Sequence, residues 1–276
     1  MRLPNFLIVG GQKCGTTTLH DLLSSHQEIS MSVRKEVNYF TSERKYRKGL
    51  KFYAQHWDIQ EGESLIGEAS PGYMVYPGVA ERIHKDLGPI KIIMILRDPV
   101  KRAISQYWDN RRKLNESETF EQVMGKYLTS NYDPQSKGYF SRGAYMNYIE
   151  KYWSLFGKEN VYLLTLENLI ADKDASLNGL LRFLGANEGS LSVEKASNSS
   201  MIWNNAIYKF FLNNPRYIPM LPIRGKRLLY FGKKVKYNYA QPSEEIIASL
   251  KDFYHPWNER LVRKTGLDIS NWFSYS

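Results

Sequence analysis

A lysine flanked by glycines and followed by a run of hydroxyls stands near the start of the chain: Gly10-Gly11-Gln12-Lys13-Cys14-Gly15-Thr16-Thr17-Thr18. Residues of these types in this order suit an anion. Glycines let backbone N–H groups approach a ligand closely, the lysine brings a full positive charge, and the threonines add donors. A second cation comes much later, in Arg97-Asp98-Pro99, with Ser105 a short way beyond it. Lys35-Glu36 sets an ammonium beside a carboxylate. Cys14 is the only cysteine. With no histidine partner in view it reads as a small buried residue rather than a nucleophile. His20, His26, His56, His84 and His255 show no metal-ligand spacing, and no metal is expected.

These residues need elements to hold them. Phe6 to Val9 is a continuous apolar run bounded by a glycine turn, as a buried strand should be. Leu19, Leu22 and Leu23 recur at helical spacing, so the lysine loop leads into a helix N-terminus. The first N–H groups of that helix lack intrahelical acceptors, and its dipole favours negative charge there. Ile90 to Leu96 is the strongest strand in the chain, and Asp98-Pro99 is a good start for the helix after it. Ser64 to Ala69 and Val161 to Leu166 add two more strands. Helices are expected over Tyr46–Trp57, Val79–Leu87, Pro99–Trp108, Thr119–Leu128, Ala144–Leu155 and Ser176–Leu184. Another follows Ser243, ahead of an aromatic tail. Alternating strands and helices predict an α/β fold with a central, mainly parallel sheet flanked by helices. In such sheets ligands sit beyond the carboxyl ends of the strands, where both Gly10–Thr18 and Arg97–Asp98 fall.

The chain has 276 residues, 42% of them hydrophobic and 24% charged, with no repeat and no linker-like tract. One domain over residues 1–276 is the expectation. No apolar run approaches the roughly 18 residues of a spanning helix, so no membrane span is expected. Without room for a secretory leader, and with one cysteine, the expected location is cytoplasmic. Lysine and arginine outnumber aspartate and glutamate by 38 to 28, a formal charge of +10. Such a balance points to an anionic partner or to solubility. Arg224, Lys226, Arg227, Lys233, Lys234 and Lys236 are interleaved with Tyr230, Phe231, Tyr237 and Tyr239 inside Ile223–Ala240, which holds no acid. Alone, that segment fits a nucleic-acid patch, a membrane patch or a solvated loop.

The nearest general motif to the opening loop is G-x-x-x-x-G-K-[ST]. Here the lysine precedes the last glycine, so that order is broken, and the strand at Ile90–Leu96 ends in Arg97 rather than a magnesium-binding aspartate. The dinucleotide pattern G-x-G-x-x-G is also absent. A site built on lysine, arginine and backbone N–H groups favours a reacting group carrying less charge than a γ-phosphate. A P-loop-like nucleotide kinase and a non-catalytic anion or nucleic-acid binder remain the alternatives.

Gly11-Gln12-Lys13-Cys14-Gly15-Thr16-Thr17-Thr18-Leu19 resembles the 5′-phosphosulfate loop of sulfotransferases, which use 3′-phosphoadenosine 5′-phosphosulfate (PAPS). Arg97-Asp98-Pro99 through Ser105 is similar to that family's 3′-phosphate segment, and Lys35-Glu36-Val37-Asn38-Tyr39-Phe40 to the K-E-x-x-[FY]-F segment of its heparan-sulfate-type branch. Gly67-Glu68-Ala69-Ser70-Pro71, Arg142-Gly143-Ala144-Tyr145 and Phe253-Tyr254-His255-Pro256-Trp257-Asn258 also match. The resemblance implies a P-loop-like sulfotransferase fold. It implies that Lys13 contacts the sulfate and the bridging oxygen, and that the loop from Gly11, Gln12 and Cys14 to Gly15, Thr16, Thr17 and Thr18 holds the 5′-phosphate. It further implies that Arg97 and Ser105 bind the 3′-phosphate and that Glu36 is the base, with Lys35 beside it.

Ala69 stands where relatives often carry lysine, and the branch's C-terminal disulfide is impossible with one cysteine. The family's glycine-basic loop has two candidates, Arg224-Gly225-Lys226-Arg227 and Gly232-Lys233-Lys234, and the second is favoured. The expected reaction takes a sulfuryl group from PAPS to a hydroxyl or amine and leaves 3′,5′-adenosine bisphosphate (PAP). The expected acceptor is a small natural product, lipid or saccharide rather than nucleic acid, with Ile223–Ala240 lining its entrance.

Overall fold

A computed structural model of the chain describes residues 1–130, 138–192, 201–221, 226 and 228–273. Arg224, Gly225 and Arg227, named above, lie outside the described residues. The chain divides into two compact units: Met1–Asp98, Ala144–Ala196 and Trp257–Ser276 form the first, Pro99–Gly143 and Ser197–Pro256 the second.

The first unit is built on five parallel strands: β1 (Phe6–Gly10), β2 (Ile29–Met31), β3 (Leu65–Ala69), β4 (Lys91–Leu96) and β5 (Val161–Thr165). Their order is β2-β3-β1-β4-β5. The chain thus runs from β1 to the edge at β2, returns to β3 beside β1, and then crosses to β4 on the other side. The crevice beyond the carboxyl ends of β1 and β4 is the switch point where ligands bind in open α/β sheets. Helices α1 (Thr16–Leu23), α4 (Val79–Leu87), α7 (Met146–Phe156) and α9 (Lys173–Leu184) belong to this unit, with the short α2 (Glu43–Tyr46), α3 (Gly49–Tyr53) and α8 (Leu166–Ala171).

Alternate residues of the central strands feed two cores. Leu7, Val9, Ile92, Met94 and Leu96 join Tyr39, Tyr73 and Tyr152 in one. Phe6, Ile8, Ile93 and Ile95 join Leu19, Leu22 and Leu177 in the other. Such double-sided burial is why these strands read as continuous apolar runs rather than alternating ones. The expected helix over Tyr46–Trp57 is instead interrupted: α2 ends at Tyr46 and α3 restarts at Gly49, whose φ of 74° a helix cannot continue through.

In the second unit, α5 (Pro99–Arg112) and α6 (Phe120–Ser130) accompany α10 (Ala206–Asn213) and an antiparallel pair, β6 (Met201–Trp203) with β7 (Lys234–Lys236). Leu114, Ile202, Tyr208, Leu212, Ile218 and Leu229 form its core. The last helix is α11 (Glu244–Thr265).

Candidate active site

The loop between β1 and α1 is anchored at both ends. Gly11 N donates to Ile95 O of β4 at 2.6 Å, and Leu19 N opens the helical ladder on Gly15 O at 3.0 Å. The N–H groups of Thr16, Thr17 and Thr18 therefore precede the first intrahelical bond, and no side chain caps them. This is the donor cluster that an anion would use. Gly15 has φ 92°, and a Cβ there would come within 2.6 Å of the Leu166 side chain, so both conformation and space require glycine. Lys13 is left-handed too, at φ 69°, which costs a non-glycine residue about 1 kcal/mol.

Arg97, at the end of β4, reaches across to this loop. Its Nη1 donates to Lys13 O at 3.2 Å. Tyr145 fixes the arginine's backbone from both sides, donating its hydroxyl to Arg97 O at 2.6 Å and accepting from Arg97 N at 3.4 Å. The same hydroxyl lies 3.7 Å from the Sγ of fully buried Cys14. The two cationic segments that the sequence places at strand ends thus meet at the switch point. Tyr145 appeared in the sequence only as part of a motif match, and its role rests on a contact with no spacing signature.

The carboxylate segment lies on the loop after β2. Lys35 Nζ stands 3.1 Å from Glu36 Oε1, with side-chain exposures of 18% and 51%. Glu36 and Asn38 are both left-handed, at φ 59° and 53°. Two such residues so close together need outside support. Glu36 N donates to Ala69 O at 3.1 Å, and Asn38 Nδ2 to Glu36 O at 3.1 Å. Asn38 N donates to Ser70 Oγ at 3.0 Å, and Tyr39 N to the Tyr73 hydroxyl at 2.8 Å.

Those two hydroxyls in turn donate to one carboxylate. Glu68 on β3 is fully buried and accepts from Ser70, Tyr53 and, at 3.0 and 3.2 Å, Tyr73. Burial raises its carboxyl above the usual range, while the Ser70, Tyr53 and Tyr73 hydroxyls pull the other way. The arrangement is a relay from a buried carboxylate, through hydroxyls, to the backbone that carries Glu36. Sequence reasoning gave Glu68 no role, although a carboxylate inside an apolar strand was a signal that it needed partners.

Tyr73→Phe tests the relay. It removes a donor from Glu68 and the acceptor of Tyr39 N, which should cost about 2 kcal/mol. Thermal melting should show a loss of roughly 4–8 °C. An unchanged melting temperature would mean that the hydroxyl does not hold this loop.

The remaining sequence-derived candidates fall in the second unit. Ser105 is half-buried in the second turn of α5. Lys233 and Lys234 are exposed at the start of β7, Lys233 O accepting from Asn204 N at 2.8 Å and Lys234 Nζ lying 4.8 Å over the Trp203 ring.

The family described as Sulfotransferase domain matches residues 3–207. Over 119 residues the chain is 41% identical to the membrane-associated sulfotransferase kil1 of Dictyostelium discoideum, a match covering 40% of this chain and 25% of that protein. It is 27% identical to human heparan sulfate glucosamine 3-O-sulfotransferase 3B1 over 270 residues, covering 97% of this chain and 65% of that protein. The chain therefore spans less than two thirds of the length of these relatives. A sulfotransferase from Alicyclobacillus acidocaldarius is similar in structure, with a TM-score of 0.73 and 25% identity, covering 99% of this chain and all of that one.

Proposed function

This chain belongs to the sulfotransferase domain family, and on that premise we propose that it carries a sulfuryl group from PAPS to a hydroxyl or amine. The observation that carries the reading is the contact from Arg97 Nη1 to Lys13 O, because it joins the two cationic segments at one strand-end crevice. A donor with phosphates at both the 5′ and 3′ positions needs two such segments. A mononucleotide site needs one.

In this reading the N–H groups and hydroxyls from Gly11 to Thr18 hold the 5′-phosphate, and Arg97 with Ser105 takes the 3′-phosphate, assisted by Lys233 and Lys234. The acceptor's oxygen or nitrogen attacks sulfur in line. The new bond to sulfur forms as the bond from sulfur to the bridging oxygen breaks, and the electron pair leaves on the 5′-phosphate. Lys13 and the α1 N-terminus stabilise that developing charge. Glu36 takes the acceptor's proton, and Lys35 steadies the carboxylate. PAP and a sulfated acceptor leave, with no metal assigned a part. The acceptor is a natural product, lipid or saccharide, and the cytoplasm is the proposed location. None of the helices among the described residues is long and apolar enough to cross a membrane.

Calorimetry with PAP, AMP and magnesium-ATP tests the donor. PAP should bind at least about tenfold more tightly than AMP, since a 3′-phosphate gains charge-assisted contacts. Equal affinity for PAP and AMP would overturn the assignment, and a preference for magnesium-ATP would favour a kinase.

A further inference from the structure

The antiparallel strands β6 and β7 form a short hairpin base, yet thirty residues separate Trp203 from Lys234. This excursion carries α10 and a 3-10 segment, Pro215–Met220. Its inward side is complete: Tyr208 and Leu212 of α10 pack with Ile218 and Leu229 in the core of the second unit. An ordinary surface helix would turn polar residues outward. Here the outward side is apolar as well. Ile207, Phe210, Met220, Leu228 and Phe231 are 56%, 50%, 75%, 76% and 54% exposed.

These side chains are held together by local contacts. Asn205 caps α10 by accepting from Tyr208 N at 2.7 Å, and its Nδ2 donates to Leu229 O at 2.8 Å and Phe231 O at 3.2 Å. Residues 228–231 are therefore fixed beside the first turn of α10, which bears Ile207. One turn further along that helix Phe210 stacks on Tyr217, centroids 5.6 Å apart, and the Arg216 guanidinium lies 4.8 Å over the Tyr217 ring. The charge is one-sided too. From Met201 to Ser243 the sequence has no aspartate or glutamate, and Lys209, Arg216 and Lys226 lie on the described part of the excursion.

We propose that the exposed side of α10, together with Met220, Leu228 and Phe231, is a peripheral docking face for a membrane with anionic headgroups. Exposed apolar side chains on a short helix and its flanking turns suit the boundary between headgroups and acyl chains, and the surrounding lysines and arginines suit phosphate-bearing lipids. Charge decides between the possible occupants. A second copy of this chain would bring the same basic segment, with no acid in its sequence, against the first, whereas an anionic leaflet complements it.

Vesicle flotation of the full chain tests the proposal. Phosphatidylcholine vesicles carrying about a third phosphatidylglycerol should recover the protein, and pure phosphatidylcholine vesicles should recover roughly tenfold less. Met220→Ser with Leu228→Ser, at positions with little packing to lose, should lower recovery about tenfold while leaving the melting temperature unchanged. Lys209→Glu with Arg216→Glu should lower recovery on the anionic vesicles alone. The proposal is overturned if the wild-type chain floats with neither vesicle, or equally with both. Full recovery of the Met220/Leu228 variant would also overturn it. So would a dimer, seen by light scattering, that this variant dissolves, because the face would then belong to a second copy.

Discussion

Lys13→Met is expected to leave a folded protein whose turnover is about a hundred- to a thousandfold slower, the scale on which one preorganised electrostatic contact to a developing anion acts. The structure makes this a clean substitution. Lys13 meets Arg97 through its main-chain oxygen, so the contact between the two cationic segments does not depend on the ammonium. The loop is also held by Gly11 N on Ile95 O and by the required glycine at position 15. Methionine keeps most of the side chain's length and inherits the same left-handed backbone at φ 69°, so the strain is common to both proteins. What changes is the charge. In the proposed reaction that charge matters most as the bond from sulfur to the bridging oxygen breaks, so kcat should fall further than affinity for PAP. Steady-state rates and PAP calorimetry on the same sample separate the two. A variant within tenfold of the wild-type kcat would remove Lys13 from the transition state and leave it a binding residue.

The route from sequence to this site was uneven, for physical reasons. β1, β4 and β5 were legible because buried parallel strands leave continuous apolar runs, and β3 because its apolar start runs into the turn at Ser70-Pro71-Gly72. β2 was not, since Ile29–Met31 is three residues long and opens on a charged loop, too short for any period to show. The meeting of Lys13 with Arg97 could be anticipated, because both follow strands and the ligand crevice of such a sheet lies at the strand ends. The support beneath Glu36 could not. It runs from Glu68 through Ser70 and Tyr73 to the N–H groups of Asn38 and Tyr39, joining segments some thirty residues apart by hydroxyls. Serine and tyrosine carry no positional code of the kind that glycine and proline do. The outward apolar side of α10 was hidden for a different reason. Ala206-Ile207-Tyr208-Lys209-Phe210-Phe211-Leu212 is apolar at all but one position, so its spacing picks out no single face, and only the structure tells which side is left uncovered.

Glu36→Gln should lower kcat by about a hundred- to ten-thousandfold while PAP affinity stays within twofold, the range over which a positioned general base contributes. Glutamine is nearly isosteric and keeps an acceptor oxygen, but it cannot take up a proton. The backbone control is favourable here as well. Position 36 is left-handed at φ 59°, a conformation no easier for glutamine than for glutamate, and its N–H remains on Ala69 O. The ion pair with Lys35 is lost, but with Glu36 half exposed that pair adds at most about 1 kcal/mol to stability. A large fall in rate with an unchanged melting temperature therefore reports on proton transfer and not on folding. Glu36→Asp supplies the second arm. It keeps the proton acceptor and withdraws it by one methylene, so its rate should lie between those of wild type and Glu36→Gln. If Glu36→Gln retains more than a tenth of wild-type turnover, another group deprotonates the acceptor. The relay from Glu68 would then hold a loop that shapes the acceptor site rather than one that carries the base.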